Sequence, residues 1–454
     1  MTLEEALEEI EYLQKENARL QAHNEKLVRE VRALEGRLEA IEREQKRQAA
    51  PFRRRQELKV PDGERKKLGN KPGHRGACRR VPEEIDETVV VPLDHCPGCH
   101  GPVELLQMLT QYIEELPPIK PIITRLVTWL GECAACGEVR STHPLQTSLA
   151  QGAAGTHLGP RAQALAVLLN KQYKLPMRVA CALLKKSFGL SLSSGGLSHL
   201  IRRVAGKLQG AYDQLLEQIR KSDVVYADET SWYVGGPGYW LWVFTTPTGT
   251  AYRIASSRGH PVAAKVLGSD FGGVLVTDCS VVYDKFPGPQ HKCIAHHLQA
   301  IKKQQEKLPE GADPRYLAAW KQLWQEVLEL TAARATTPPE DFAALRTQIE
   351  ARADALLARE PSLSQDHRVW VRMRNARKHL FGCLHYNVDP TNNRAERAIR
   401  PAVVARKISC GNRTESGSQA TEILTSLITT AHQQARDFLT QLLPALAISP
   451  MPVG

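Results

Sequence analysis

The chain has 454 residues, enough for roughly two to four domains, and its hydrophobic content of 42% is ordinary for a soluble globular protein. With 60 Lys and Arg residues against 49 Asp and Glu residues, the formal net charge is +11, which favours a polyanionic partner. No apolar run approaches the roughly 20 residues of a membrane span and the N-terminus has no hydrophobic signal region, so we exclude a membrane protein and expect a cytoplasmic location.

Residues 1–48 carry a heptad repeat that predicts a coiled coil. Leucine in one seam, combined with Asn17 and Asn24 in the other, specifies a coiled coil of two parallel helices, because paired buried amides suit a single register. We therefore expect a homodimer; the alternative is one amphipathic helix lying on the body of the protein. The two seams are Leu3, Ile10, Asn17, Asn24, Val31 and Leu38, and Ala6, Leu13, Leu20, Leu27, Leu34 and Ile41.

Residues 49–82 form a basic linker punctuated by Pro and Gly. Between Phe52 and Arg80 there are eleven Lys or Arg residues against three acids. Basic runs are often only solvated linkers, but this one also suits salt-dependent contact with phosphates. Its candidate DNA-binding residues are Arg53, Arg54, Arg55, Lys66, Lys67, Lys71 and Arg75.

Residues 83–145 contain two Cys-x-x-Cys pairs, "CPGC" and "CAAC". Cys96 and Cys99 form the first pair and Cys133 and Cys136 the second, with 33 residues between Cys99 and Cys133. Two thiolate pairs on turns supply the four soft ligands of a structural Zn²⁺ site, so we predict a zinc-ribbon-like DNA-binding module. The alternatives are redox chemistry or a pair that binds no metal, since the gap exceeds the usual zinc-ribbon range.

Residues 150–220 are predicted to be helical. Two helices flank the turn "GLSLS", in the manner of a helix-turn-helix, and the second helix carries Arg202 and Arg203. Such a helix suits the major groove of DNA. A helical hairpin packed against the rest of the protein explains the same sequence equally well.

Residues 221–299 predict a sheet with acidic residues at the ends of strands. "DVVYADETSW", "YWLWVFTT" and "GTAYRIASS" are predicted strands, followed by a helix near "PVAAKVLG" and a further strand in "FGGVLVTDCS". Asp228 and Asp278 stand at the ends of the first and last of these strands. This arrangement resembles one half of a ribonuclease-H-like fold; alternatively, the two acids are turn residues closing unrelated strands.

Residues 300–380 lose the strand signals and predict a helical insertion. "DPRYLAAWKQLWQEVLELTAA" and "PPEDFAALRTQIEARADALLA" are separated by a Pro-containing break. We expect the insertion to divide the sheet domain into two parts, so that the fold is multidomain α/β.

Residues 381–454 supply the second part of the core, a C-terminal helix and the third acid, Glu396. Asn392 and Asn393 introduce the helix that carries it. Glu396 has a simple alternative explanation as the acid of a capping box, with Asn393 as the cap. The density of cations around it instead suits a site for DNA phosphodiesters, with Arg394, Arg397, Arg400, Arg406 and Lys407 as candidate DNA-binding residues.

Three gathered carboxylates suit two-metal phosphoryl transfer. Two Mg²⁺ or Mn²⁺ ions would clamp the attacking and leaving oxygens of an in-line displacement, and hard oxygen ligands suit such ions. Asp228 would bridge both ions, while Asp278 and Glu396 would each hold one.

The sequence resembles transposases of the insertion sequence 66 type, a DDE enzyme family, over nearly its whole length. The resemblance rests on "YADET", "GYWLWVF", "VLVTD", "CIAHHLQAIKK", "NNRAERAIRP" and "ATEILTSLITTA", with "KPGHRG" and the paired cysteines in the family's order. It implies a DNA transposase that binds terminal inverted repeats and target DNA, with small accessory proteins encoded beside it. The sequence departs from the family at "CSVVYD", where Gly-Tyr is usual, and at Ile294, where an aromatic residue is usual. The alternatives are a catalytically silent DNA-binding regulator and a subunit that needs a partner for activity.

A second zinc site is a further hypothesis. Cys293 and His296 in "CIAHH" share one helical face, and Cys383 and His385 come at the other end of the insertion. Zinc held by these four residues would clamp the insertion to the core. The alternatives are ordinary packing and a contact of His296 or His297 with the scissile phosphate.

Overall fold

The computed structural model describes residues 15–17, 19–21, 23, 30, 34, 80–148 and 156–447. Most of the predicted coiled coil and the candidate DNA-binding residues of the basic linker, from Arg53 to Arg75, lie outside these residues. The described residues between 15 and 34 are helical. Leu20 and Leu34, two seam residues of the heptad, are 54% and 60% exposed on the single chain.

The chain divides into two compact units, Met1–Leu116 and Pro117–Gly454. In the described part of the first unit, an isolated bridge joins His95 to Pro102 around the turn that contains Cys96. The second unit begins with an antiparallel hairpin of β1 (Leu130–Cys133) and β2 (Gly137–Arg140).

Four helices follow. They are α1 (Pro160–Lys171), α2 (Met177–Phe188), α3 (Ser194–Lys207) and α4 (Gln209–Arg220). Helix α2 ends at Gly189, whose φ of 66° is the left-handed conformation that suits glycine, and α3 begins where the Ser193 hydroxyl accepts the N–H of Gly196. The apolar face of α3 is buried in a core shared with the sheet, so this helical pair packs against the rest of the unit.

A five-stranded mixed sheet is the centre of the second unit. Its strands are β3 (Val224–Trp232), β4 (Tyr239–Thr245), β5 (Thr250–Ala255), β6 (Val274–Thr277) and β7 (Gln290–Lys292), with α5 (His260–Leu267) before β6. The order across the sheet is β5-β4-β3-β6-β7. Strand β4 runs antiparallel to both β3 and β5, whereas β6 runs parallel to β3 and β7 runs parallel to β6. The three predicted strands, the helix and the fourth strand all form at the expected stretches of sequence.

Helices cover both faces of this sheet. Alternation along β3 sends Val225 and Ala227 into one apolar core and Tyr226 into the other. The first core is completed by α1 to α5, together with α12 (Glu415–Gln433) and α13 (Phe438–Leu446). The second core is completed by α6 (Ile294–Gln305), α7 (Arg315–Ala332), α8 (Pro339–Leu357), α9 (Ser364–Ala376), α10 (Gly382–His385) and α11 (Asn393–Ser409).

The outward-facing backbone N–H groups of edge strand β5 donate hydrogen bonds to side chains of α12, where a further strand would otherwise pair. The backbone N–H groups of Thr250, Tyr252 and Ile254 donate at 2.8–3.0 Å to polar side chains spaced four residues apart on the helix. The acceptors are Thr430, Ser426 and Glu422, respectively. Four residues of helix rise about 6 Å and two residues of strand about 6.6 Å, so the two spacings match.

None of the helices in the described part of the chain combines the length and the apolarity that crossing a bilayer requires.

Candidate active site

Asp228 lies in the middle of the sheet. It sits on β3 between β4 and β6, opposite Val243, and alternation places its side chain on the face of the second core. One carboxylate oxygen accepts the N–H of Glu229 at 2.8 Å. Burial raises the pKa of Asp228 to about 7, and the negative charges of Asp278, Glu229 and Glu396 add to the shift.

Asp278 stands beside Asp228 because their strands are parallel and in register. Ala227 on β3 pairs with Thr277 on β6, so the next residue on each strand is an aspartate at the same level of the sheet. The Asp278 carboxylate accepts the N–H of Ser280 at 2.9 Å, which fixes the turn that leaves β6. The two acids are therefore neighbours across the sheet; Asp278 directly follows β6, but Asp228 lies in the middle of β3 and not at the strand end that the sequence predicted.

Glu396 reaches this place from α11. The capping-box explanation is not what the structure shows: α11 begins at Asn393, its cap residue is Asn392, and neither asparagine caps the helix through its side chain. Glu396 is then the fourth helical residue, and its half-exposed carboxylate lies 3.8 Å from Nδ1 of His296. As an acid in the first turn it suits the helix dipole, but its position does not depend on a capping box.

Asn392 ties the start of the helix that carries Glu396 to the strand that carries Asp228. This fully buried residue donates its side-chain amide to the carbonyl of Ala227 at 2.8 Å, directly before Asp228 on β3. Its backbone N–H donates to Sγ of Cys293 at 3.1 Å. The start of α11 is thus bound both to the strand that carries Asp228 and to the start of α6. Sequence reasoning treated Asn392 only as a helix start.

Cys293, His296 and Glu396 form a cluster beside the two aspartates. One potential ligand atom from each lies within 4.8 Å of the others. Burial alone would raise the pKa of the Cys293 thiol, but His296 and the backbone N–H groups of Asn392 and His296 outweigh it and lower that pKa. The same thiol raises the pKa of His296.

Cys383 and His385 do not join this cluster. Cys383 is buried against α7, where the hydroxyl of Thr331 approaches its Sγ at 3.8 Å. His385 is bonded through Nε2 to Glu350 of α8 at 2.7 Å. The predicted four-residue zinc clamp is thus divided, because α10 directs its Cys and His at the helical insertion and not at α6.

Glu229 belongs to the opposite face of β3 from Asp228. Its side chain is 1% exposed and is held by Arg258 at 2.8 Å and by the hydroxyl of Tyr283 at 2.6 Å. Burial and the charge of Asp278 raise the pKa of Glu229, although Tyr283 and Arg258 oppose the shift. The period of two along a strand signals in the sequence that this second acid points away from the site, but its partners lie too far along the chain to be foreseen.

Lys292 is a buried cation that sequence reasoning missed. It lies on β7, and its ammonium group contacts the Asp284 carboxylate at 2.8 Å and the carbonyl of Ser280 and hydroxyl of Thr277 at 3.4 Å. These partners flank Asp278 on both sides. Lys292 therefore fixes the chain around the second acid.

The predicted DNA-binding cations of α11 divide into two groups. Arg394 lies over the ring of Tyr226 at 5.5 Å, and Arg406 donates to Thr230 and Ser231 at the end of β3, so both take part in packing the site. The exposed cations are Arg397, Arg400 and Lys407.

The cations predicted on the helix-turn-helix-like segment also differ from each other. Arg203 is exposed, whereas Arg202 is partly buried and contacts His199 at 3.0 Å.

The two Cys-x-x-Cys turns are built alike. In each turn, backbone N–H groups of the following residues approach the first thiol and lower the pKa of Cys96 and of Cys133. The residue directly after each second cysteine has positive φ, 58° at His100 and 74° at Gly137. The pairs lie in different compact units, so the four-thiolate zinc site stays a prediction.

Comparison with known proteins identifies the family. The sequence model described as transposase IS66 family matches residues 155–420, which include all three carboxylates. An uncharacterized protein of Sinorhizobium fredii (strain NBRC 101917 / NGR234), y4qI, is 23% identical over 434 residues, covering 86% of this chain and 77% of that protein. Since the family match spans more than half of the chain, this protein belongs to the IS66 family of transposases, enzymes that act on nucleic acid.

Proposed function

We propose that the protein is a DNA transposase that binds the terminal inverted repeats of its element and cleaves and joins DNA strands with the help of two divalent metal ions. The observation that carries this proposal is the convergence of Asp228, Asp278 and Glu396 from two adjacent strands and one helix. Their mutual repulsion contributes to the raised pKa of Asp228. A protein gains no stability from such an arrangement, so a functional role for it is the better explanation.

The donor set fits hard divalent cations. Carboxylate oxygens are the ligands that Mg²⁺ and Mn²⁺ prefer, and a cation would relieve the repulsion among the three acids. Bound ions would lower the pKa of water or of a 3′-hydroxyl and neutralise the oxygen that leaves. Asp228, on which the charges of both other acids act, would serve both ions, with Asp278 and Glu396 each holding one.

The surroundings of the three acids would keep them in position. Asn392 fixes the start of α11 against β3, and Lys292 fixes the chain on both sides of Asp278. Such supports matter because ligand placement governs how well charge developing in the transition state is stabilised. We propose a ribonuclease-H-like core for this sheet, supported by the mixed strand order and by helices on both faces.

Exposed cations around the acids would hold the DNA backbone. Arg397 and Arg400 follow Glu396 on α11, and Lys407 lies further along the same helix. Arg203, the basic linker and the two cysteine turns would add contacts to the element's ends. We also propose a homodimer through the N-terminal heptads, a structural zinc ion at the four cysteines, and small accessory proteins from the same element.

Cleavage of a labelled DNA duplex carrying the element's own end tests the proposal. Wild type should nick the end with Mg²⁺ but not with EDTA, and Glu396→Gln should bind the duplex without nicking it, because an amide is a poor ligand for Mg²⁺. Glu306→Gln, the same change at an exposed carboxylate just after α6, is the matched control and should nick normally. End binding without nicking in every protein would favour a silent regulator or a partner-dependent subunit.

A further inference from the structure

The cluster of Cys293, His296 and Glu396 differs chemically from the acids beside it. Its ligand atoms are a thiol sulfur, an imidazole nitrogen and a carboxylate oxygen, all within 4.8 Å of one another. Tetrahedral zinc sites, with bonds of about 2.0–2.3 Å, separate their ligand atoms by roughly 3.3–3.7 Å. Movements of about 1 Å would therefore close this cluster around one ion.

The elements that hold the cluster are fixed from several directions. Cys293 is fully buried directly before α6, and its backbone N–H donates to Thr277 at the end of β6 at 2.9 Å. His296 follows on the first turn of α6, and Asn392 links the sulfur of Cys293 to the start of α11. The three ligands thus come from two helix starts that the sheet and Asn392 keep together.

Thiolate and imidazole ligands discriminate strongly between metals. Mg²⁺ binds oxygen ligands, whereas sulfur and nitrogen ligands favour Zn²⁺ and related transition metals. Three protein ligands also leave a fourth position open, as in zinc sites that keep a water molecule. The cluster is therefore suited to an ion of a different class from the pair proposed at the three acids.

We propose that Cys293, His296 and Glu396 form an inhibitory Zn²⁺ site. The inference rests on the proposed function in one respect: Glu396 is shared between this site and the Mg²⁺-dependent one. Zinc held here withdraws the Glu396 carboxylate from the Mg²⁺ site and stops strand cleavage. Transposition would then respond to the concentration of free zinc.

Binding is tested first, with no reference to catalysis, by titrating Co²⁺ into the full-length protein as purified. Co²⁺ takes the same ligands as Zn²⁺, and a bound thiolate gives a strong near-ultraviolet absorption. The signal of interest is the difference between wild type and Cys293→Ser, which cancels any absorption from the paired cysteines. Cys383→Ser, another buried cysteine outside the cluster, is the matched control.

We expect Cys293→Ser and His296→Gln each to weaken Co²⁺ and Zn²⁺ binding at this site at least about 10-fold, as the loss of a ligand should. The serine hydroxyl still accepts the N–H of Asn392, so the fold is retained, and circular dichroism checks this. Identical titrations for wild type and Cys293→Ser would overturn the site.

Inhibition is tested by adding Zn²⁺ to the end-cleavage reaction at a fixed Mg²⁺ concentration. The Zn²⁺ concentration that halves cleavage should rise at least about 10-fold in Cys293→Ser and stay unchanged in Cys383→Ser. Equal sensitivity of wild type and Cys293→Ser would overturn the inhibitory role. If no protein cleaves DNA with any metal, the proposed function fails, while the Co²⁺ difference still decides whether the site exists.

Discussion

Asp228 has a pKa that is raised both by its burial and by the neighbouring acids. Its carboxylate is largely buried among like charges, which raises its pKa to about 7. A group in this position destabilises the fold when it is ionised without a cation nearby. In the proposed transposase, the same group would bind a divalent cation once its proton is lost, and this would give its unfavourable placement a function.

Asp228→Asn should abolish strand cleavage without unfolding the protein. We expect cleavage to fall more than about 100-fold because an amide replaces the carboxylate that is proposed to hold both ions. The melting temperature at pH 8 should be unchanged or higher, since the asparagine oxygen still accepts the N–H of Glu229 and the repulsion is removed. Cleavage assays and thermal unfolding measure the two effects.

Asp223→Asn, just before β3 and exposed, is the matched control and should alter neither cleavage nor melting. A lower melting temperature in Asp228→Asn would assign Asp228 a structural role instead.

Asn392 positions the start of α11 against β3 through the hydrogen bond that its side-chain amide donates. Asn392→Ala leaves the carbonyl of Ala227 without its buried partner and should lower the free energy of unfolding by about 1–3 kcal/mol. Because α11 then loosens against β3, the Mg²⁺ concentration for half-maximal cleavage should also rise. Urea denaturation and metal titrations measure these changes.

Asn393→Ala, at the exposed neighbouring position, should be close to wild type in both assays. A lower stability of Asn392→Ala with an unchanged Mg²⁺ requirement would show that Asn392 supports the fold and not the site.

At the scale of elements, the strands of the sheet can be predicted well from the sequence because each is indicated by residues within one short stretch. The alternation of β3 and the aromatic run of β4 lie within single stretches, and the acids at β3 and β6 adjoin them. The contacts that complete the site are not local: the amide of Asn392 and its acceptor are 165 residues apart. No pattern within one segment signals such a pair. The alternative explanation of Glu396 as a capping-box acid is wrong for a local reason, because α11 begins one residue earlier than a cap at Asn393 would require.

Helix α9 shows the limit of periodicity as a signal. Its sequence "SQDHRVWVRMRNA" is largely polar, and the expected insertion named only the two stretches that became α7 and α8. Asp366, Val369, Trp370 and Met373 are its buried residues, a narrow stripe at helical spacing. Three buried apolar residues among so many charges gave too little contrast to single out this helix within the segment that was predicted to be helical.

The contact between α12 and β5 makes stability depend on pH. Burial raises the pKa of Glu422 to about 7, although Arg253 and the N–H of Ile254 partly oppose the shift. The folded state therefore holds a proton that the unfolded chain releases above about pH 4.3. Stability should fall as pH rises from there towards 7 and level off above about 7.

Glu422→Gln should flatten this pH dependence, because its amide oxygen still accepts the N–H of Ile254 but carries no titrating proton. The loss of stability across the window should shrink by on the order of 1–3 kcal/mol. Urea denaturation at a series of pH values measures it, and Glu415→Gln on the exposed start of α12 is the control. An unchanged slope in Glu422→Gln would mean that other buried acids, such as Asp228, account for the dependence.

At the scale of the whole molecule, we predict from the two cysteine turns that loss of bound zinc weakens DNA binding. If the proposed zinc ion is bound at the four cysteines, replacing Cys96 and Cys99 by Ser should remove it and weaken the proposed binding to the element's end at least about 10-fold. Elemental analysis of the purified protein and gel-shift titrations measure the two quantities. Cys410→Ser, at an exposed cysteine outside both turns, should retain zinc and binding. Unchanged zinc content in the double variant would contradict the four-thiolate site.

The side chains of α12 that accept the N–H groups of β5 also limit how copies of this protein can associate. An open sheet edge is a template on which a strand of another chain adds, leading to swapped or fibrous assemblies. Here the row of N–H groups along β5 is already occupied by Thr430, Ser426 and Glu422. At the opposite edge, β7 is three residues long and buried. Copies of this chain at high local concentration therefore find no strand of this sheet to pair with.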